Sequence, residues 1–427
     1  MSAPASVVPA RLAPDAALPE RDRLLDPAEA AALLARAYGV AFDRVVPLKT
    51  KYRVGDSLRV SFRVTRGDDT WWVAARMAPG MAARWHAEAR ASARPDGELA
   101  GVALDEASGT MCWTFPNDRK LRTAGRLLAG ETVARAAFPG LPTTTTLVSV
   151  TPERAAVARI AHRDTGESLG FAKVYADEGA AAAASCLGRL GAAIASRGVR
   201  LSIPAVRWLD EPGRMLAVTA VPGRPLSALD LVAVPRAMRA LGRALATLHA
   251  LPAAPVPAFD RFDTRALLAA AEDIGRARPD VAGAARRAAA RLTAGTPAAA
   301  AAVTLHGDVN SHNWLVHDGA VGFIDLDEAR TGPAAADIAG HLASLRYRTL
   351  TRLWTPDAAR RFEREFLDGY AEVRPLPEAR ALAWHVAAAL FVERALRAVA
   401  RVRRDGLAVL DAVIDEAARL AREARHA

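Results

Sequence analysis

Leu305-His306-Gly307-Asp308-Val309-Asn310-Ser311-His312-Asn313-Trp314-Leu315-Val316, followed by Gly322-Phe323-Ile324-Asp325-Leu326-Asp327, decides how this chain is read. Val303-Thr304-Leu305 leads in as a strand and Trp314 to Val316 leads out. Asp318-Gly319 then turns, and Val321 to Ile324 forms a second apolar run that ends in Asp325. A loop with Asp308 and, five residues on, Asn313, joined to a second carboxylate at a strand end, carries what phosphoryl transfer to a hydroxyl requires. One carboxylate meets the acceptor hydroxyl, while an amide and another carboxylate hold the magnesium that neutralises the triphosphate. In an ordinary hairpin, Asp and Asn would serve only as turn formers. Composition argues against that. The chain contains three Asn, at Asn117, Asn310 and Asn313, and two of them lie in this loop.

The length of 427 residues allows two or three domains with ample core. Lys and Arg number 57 against 47 Asp and Glu, a formal charge of +10. Such a balance can signal an anionic partner. Here the arginines are scattered through Ala-rich stretches with no block of like charge and no aromatic interleaving, so biased amino-acid usage explains them and no nucleic-acid partner is expected. Cys112 and Cys186 follow no metal-ligand spacing and read as reduced thiols. The N-terminus lacks a basic-then-apolar leader, and no apolar run reaches membrane-spanning length. The expectation is a cytoplasmic protein without a membrane partner.

Residues 1–25, rich in Pro and Ala, read as a flexible tail. A helix is predicted over Pro27 to Tyr38, with Asp26 as N-cap and Pro27 in the first helical position. From Lys49 to Met77 the period changes to two: Leu58, Val60, Phe62 and Val64 alternate, Gly67-Asp68-Asp69 turns, and Trp71 to Arg76 returns. After a linker over Pro139 to Thr146 the pattern recurs, with Val157 to Ile160, a turn at Asp164-Thr165-Gly166 and Gly170 to Tyr175. Trp72 to Met77 aligns with Gly170 to Val174 with one indel. This fits an internal duplication, and it equally fits two ordinary hairpins. Two more strands follow at Ile203 to Val206 and Arg214 to Thr219, and helical periodicity dominates from Pro235 onward. Strands first and helices afterwards give an α+β, two-lobed fold class with a nucleotide cleft between the lobes.

Several features in order resemble the aminoglycoside phosphotransferase and choline kinase family, whose fold is protein-kinase-like. They are Phe171-Ala172-Lys173-Val174-Tyr175, Val221-Pro222-Gly223-Arg224-Pro225-Leu226, Leu241-Gly242-Arg243 through Leu248-His249, His306-Gly307-Asp308 with Asn313, Ile324-Asp325, and Asp337-Ile338-Ala339. The likeness covers roughly residues 145–345. The resemblance implies a nucleotide lobe over 144–222 and a mostly helical lobe with the catalytic loop over 223–427. It leaves residues 26–143 as an α+β extension like the N-terminal cap of maltokinase-like relatives.

The resemblance also implies roles. ATP and Mg2+ are the implied cofactors, and a small molecule with a hydroxyl (an aminoglycoside, amino sugar or sugar) is the implied acceptor. Asp308 would orient the acceptor hydroxyl, and Asn313 and Asp325 would supply oxygen ligands to Mg2+. Asp327 is either a further metal or outer-shell carboxylate or a surface residue. Lys173, one of only four lysines, would contact the α- and β-phosphates, and Thr219, Ala220 and Val221 would line the adenine. His306 is expected to hold the loop backbone, His312 to be an ordinary loop histidine, and Asp337 to brace the loop. The sequence departs from the pattern in two places. Gly179 to Ser196 offers no acidic partner for Lys173, and Thr151-Pro152-Glu153-Arg154 stands where a Gly-rich loop would be. A Ser/Thr kinase of peptides and a nucleotide-binding pseudokinase regulator share these motifs. An acidic run, Asp357, Glu363, Glu365, Asp368 and Glu372, reads either as a face for amines or as a salt-bridged surface.

Overall fold

The predicted cap at Asp26 is present in the computed structural model, which describes residues 12–128, 132–252 and 256–426. Helix α1 (Arg21–Leu25) precedes α2 (Pro27–Tyr38). The Asp26 carboxylate accepts from the amides of Ala28 and Glu29, and Gly39 closes α2 with φ 70°. The tail reading is corrected for its described part, residues 12–25. Leu18, Arg21 and Leu24 are buried, and Asp15 accepts from Tyr52 Oη at 2.6 Å and Gly55 N at 2.8 Å. Pro and Ala mislead here because a few leucines and one aspartate suffice to anchor an otherwise featureless segment. Residues 1–11 lie outside the described residues.

The chain divides into two units: Asp15–Gly223 with Gly322–Asp327, and Met1–Pro14 with Arg224–Val321 and Glu328–Ala427. The first is a sheet unit. It contains β1 (Arg44–Arg53), β2 (Ser57–Arg66) and β3 (Asp69–Met77), then α3 (Ala82–Arg90), then the hairpin β4 (Val102–Asp105) and β5 (Thr110–Thr114). These five strands form one antiparallel sheet in the order β1-β2-β3-β5-β4. Leu58, Val60, Phe62 and Val64 are all buried, as period two requires of one sheet face. After α4 (Thr132–Ala137) come β6 (Thr143–Thr151), β7 (Ala155–His162) and β8 (Ser168–Tyr175), then α5 (Gly179–Arg197), then β9 (Val206–Asp210) and β10 (Met215–Thr219). Their order is β6-β7-β8-β10-β9. The two sheets share one topology: a three-stranded meander, a helix, and a hairpin whose second strand adds to the third. Each also has a register shift between its first two strands, at Pro47/Lys49 and at Leu147/Ser149.

The segment joining the sheets is structural. Leu121, Leu127, Val133, Ala137 and Phe138 pack on Ala156, Ala158, Ile160, Ala172 and Val174, the inward positions of β7 and β8. Helix α5 is long and apolar enough by length and composition to cross a membrane, which corrects the sequence expectation that no run reaches that length. Its alanines explain the difference: they count as apolar, while only Ala180, Ala183, Cys186, Leu187 and Leu190 are buried.

The second unit is mainly helical. The short strand β11 (Arg224–Pro225) is followed by α6 (Val234–Ala250), α7 (Thr264–Ala277) and α8 (Ala282–Ala294). Strands β12 (Ala302–Leu305), β13 (Trp314–His317), β14 (Ala320–Phe323) and β15 (Arg330–Pro333) frame the loop over residues 306–313, and the last two residues of β14 belong to the sheet unit. Helices α9 (Ala334–Leu350), α10 (Pro356–Ala371) and α11 (Ala379–Ala389) follow. Then come a π-helix over Leu390–Leu396, α12 (Arg397–Ala400), α13 (Arg404–Ala408) and α14 (Leu410–His426). Helices α6 and α10 cross at glycine. A Cβ on Gly242 would stand 2.1 Å from Phe366 O, and one on Gly369 would stand 2.0 Å from Arg239 O.

Candidate functional site

In the helical unit, β12 delivers the loop His306–Asn313 and a single buried carboxylate holds its start. Asp337, in the first turn of α9, accepts from His306 N at 2.6 Å and Gly307 N at 2.9 Å. His249 Nε2 on α6 stands 3.1 Å from the same carboxylate, and its Nδ1 is 2.9 Å from Tyr370 Oη on α10. Burial alone would raise the pKa of Asp337. The hydrogen bond and charge of His249, with the loop amides, hold it below the usual carboxylate value instead. Gly307 adopts φ 83°, and a Cβ there would lie 1.9 Å from Glu328 O, so only glycine fits.

Beyond this brace the loop wraps around Asp308. Its Oδ2 accepts from Asn310 Nδ2 at 2.9 Å and Asn313 Nδ2 at 3.3 Å, and Asn313 Nδ2 also donates to Asp308 O at 3.0 Å. His306 is buried and its Nδ1 accepts from Asp308 N at 3.3 Å. His312 donates its amide to Asn310 Oδ1. Asp308 and Asn313 are therefore neighbours, and Asn310 acts as a clasp between them.

Arginines that the sequence reading did not single out reach the same loop. Arg397 Nη1, just after the π-helix, lies 3.4 Å from Asp308 Oδ1. Arg261 Nη1 donates to Gly307 O at 2.8 Å and pairs with Glu393 of the π-helix. Arg348 donates to Ser311 Oγ at 2.7 Å. No local signal marks them in a chain where arginine is everywhere. The acidic face of α10 reads as a salt-bridged surface: Glu365, Asp368 and Glu372 pair with Arg239, Glu363 with Arg346, and Asp357 with Arg360.

In the sheet unit, Lys173 lies on β8 between Val157 of β7 and Leu216 of β10. Its Nζ hydrogen-bonds Asp327 and lies 3.3 Å from Asp325 Oδ1. Burial would lower the lysine's pKa. Asp327 first, then Asp325, outweighs burial and raises it, so the ammonium stays charged. The partner that α5 does not offer is thus supplied by Asp325 and Asp327. Asp325 has φ 58°, an uncommon conformation for a non-glycine residue. It follows the strand end that Ser202 O anchors through Phe323 N at 2.9 Å. Val221 is buried against this strand: a Cβ on Gly322 would meet Val221 Cγ1 at 2.6 Å. Thr219 N and Ala220 N already donate to Ala205 O and Leu169 O. The Val221 amide is the one in this segment without an internal acceptor among the described residues.

The carboxylates of Asp325 and Asp327 are hard oxygen donors of the kind Mg2+ takes, with waters and phosphates completing its shell. Among the described residues no group of three or more His, Cys, Asp or Glu side chains could hold a metal. A metal bound partly through its substrate does not need one.

The model of the phosphotransferase enzyme family, APH, matches residues 145–381. The chain belongs to this family. Its α+β, kinase-like fold covers the matched region, and the β1–β5 sheet is additional to it. Among solved structures, the apoenzyme of macrolide 2'-phosphotransferase from Brachybacterium faecium is 20% identical over 66% of this chain and 94% of its own, with a TM-score of 0.43. An aminoglycoside-3'-phosphotransferase of type VIII is 23% identical over 63% and 97%, TM-score 0.44. Amicoumacin kinase, solved with AMP-PNP, Ca2+ and Ami, is 15% identical over 71% and 93%, TM-score 0.48. No curated protein matches the chain. Both site clusters of this phosphotransferase, Lys173 with Asp325 and Asp327 and the Asp308 loop with Asp337, fall inside the matched span.

Proposed function

We propose that the chain is an ATP-dependent O-phosphotransferase that moves the γ-phosphate of ATP to a hydroxyl of a small molecule. The observation that carries this reading is the Asp308 loop: a carboxylate clasped by Asn310 and Asn313 above a backbone fixed by Asp337. An ionised carboxylate held this firmly accepts a hydrogen bond from an incoming hydroxyl and turns its oxygen toward phosphorus. Positioning of this kind is most of the catalysis in a loose transition state.

Asp325 and Asp327 would hold Mg2+, which when bound neutralises charge on the triphosphate. Lys173 would exchange its two aspartates for the α- and β-phosphates, one set of anionic partners for another. Thr219 to Val221 would meet the adenine through Val221 N–H and apolar contact. The test is Asp308→Ala assayed for ATP-dependent phosphorylation with a panel of sugars, aminoglycosides and hydroxyl-bearing peptides. Turnover should fall at least about a thousandfold with an unchanged thermal transition. Appreciable transfer by this variant would sink the assignment, and peptides as the sole acceptors would favour a Ser/Thr kinase.

A further inference from the structure

Family members that act on aminoglycosides must meet ammonium groups, yet the surroundings of Asp308 are cationic. Arg397 is its ion-pair partner, and Asp308 is the only hydrogen-bond partner of that guanidinium among the described residues. Arg394, three residues earlier on the π-helix, gives one N–H to Gly340 O, while its Nε lies buried without a partner. Burial lowers the pKa of Arg394. Arg397 and Arg403 add to that effect, and Glu393 and Asp308 do not cancel it. Buried His341 on α9 is pushed down to about 3 by burial, then by Arg394 and Arg348. Burial is the first cause in both, and neighbouring guanidiniums add to it. Several carboxylates near the loop are engaged: Glu393 on Arg261, Asp337 on His249 and the loop amides, and the α10 face on Arg239 of α6, while Asp260, Asp263 and Asp273 line a cavity beside the π-helix. The π-helix is the device that sets this up. Its wider turn presents Glu393 to Arg261 and precedes Arg397, and such segments in helices are frequently found at functional sites.

We propose that Arg397 is a specificity-determining residue and that the acceptor carries an anionic group, a carboxylate or a phosphate, close to the hydroxyl that receives the phosphoryl group. This rests on the reading of Asp308 as the group that meets that hydroxyl. With Asp308 using one of the five guanidinium donors, the planar fork retains donors for an acceptor oxyanion. An ammonium placed there would meet the Arg397 guanidinium at the same carboxylate. The acceptor oxyanion takes over part of the Arg397 contact as the Asp308 carboxylate turns to the hydroxyl.

The experiment measures Mg-ATP-dependent transfer to matched sets on one carbon skeleton: glucose, glucosamine, glucuronate and glucose 6-phosphate, and glycerol, aminopropanediol, glycerate and glycerol phosphate. Kanamycin serves as a polycation. Each compound is also tested as a competitor of the slow hydrolysis of ATP by water, so a compound that binds without reacting still reports. In the unaltered protein the acid or phosphate of a set should exceed its amine by roughly ten- to hundredfold in kcat/KM or in competition, the size of one charged hydrogen bond. The carboxylate and phosphate members tell the two anionic sources apart. Arg397→Ala should erase the preference, Arg397→Lys should keep part of it, and Arg397→Glu should invert it, which loss of packing alone would not do. A best acceptor that is an amine or kanamycin, or a ranking untouched by Arg397→Glu, would overturn the inference while leaving the phosphotransferase reading intact. The same holds if ATP is hydrolysed and no anionic compound transfers or competes. No ATP consumption under any condition would overturn both.

Discussion

The two five-stranded sheets place a cation at the same ladder position and use it in opposite ways. In each, the closing hairpin pairs an aspartate with the first residue of the return strand, Asp105 with Thr110 and Asp210 with Met215. Those residues face Met77 and Val174, so Arg76 and Lys173 occupy one register position. Arg76 pairs with Glu153, whose side chain is 2% exposed and is also gripped by Arg59 and Arg119. Its guanidinium also stacks 3.9 Å from the Trp85 ring. Lys173 faces Asp325, 50% exposed, and Asp327. A guanidinium fork in a buried network is a fastening. A compact ammonium against accessible carboxylates can exchange partners. The same scaffold position thus faces a buried counter-charge in one sheet and an accessible one in the other.

The largest effect expected from breaking this contrast is on the accessible side. Asp325→Asn keeps a residue that tolerates positive φ but removes a metal-binding charge, and turnover should fall by at least about a thousandfold. Steady-state assays at saturating Mg-ATP, alongside an unchanged urea midpoint, check this. Normal turnover would place the metal elsewhere.

On the buried side the expected loss is stability. Glu153→Ala leaves three guanidiniums without their shared counter-charge and should cost about 3 kcal/mol in urea unfolding. A change below about 1 kcal/mol would show that the arginines find other partners.

Lys173→Ala should weaken Mg-ATP binding or turnover by roughly ten- to a hundredfold, the size of one charged contact. Titration under identical salt measures it, and equal binding would make Lys173 an ordinary strand residue. The smallest effect concerns acid. Burial would raise the Glu153 pKa, but Arg76 and Arg119 hold it below the usual value. A depressed carboxylate stabilises the fold above the ordinary glutamate value of about 4.3, and that contribution is lost as pH falls through the folded value. The stability gap between the unaltered protein and Glu153→Gln should therefore shrink only below about pH 4. A gap that narrows already near pH 6 would point to a different group.

Much of this was legible in local sequence. The start of α2 followed from Asp26 and Pro27, the β2–β3 hairpin from alternation, and the Asp308 loop from residue types in a short window. What could not be read was long-range. Lys173 and Asp327 are 154 positions apart, and Arg397 and Asp308 are 89 apart, so no periodicity links them. Glu153 was visible only as a non-glycine residue in a turn, because its three arginines come from other strands and loops. The likeness of the two sheets was faint in residues, since the ladder preserves register while the side chains have diverged.

The Glu153 cluster has a bearing on how this chain can be cut and inherited. Arg59, Arg76 and Arg119 all precede Thr143, where the second sheet begins, whereas Glu153 lies within that sheet's first turn. A chain started at Thr143 would keep the acid, buried in the intact protein, and lose every one of these partners. The extension is therefore not a detachable accessory. Removing the first sheet would cost stability at Glu153 unless that acid were replaced as well.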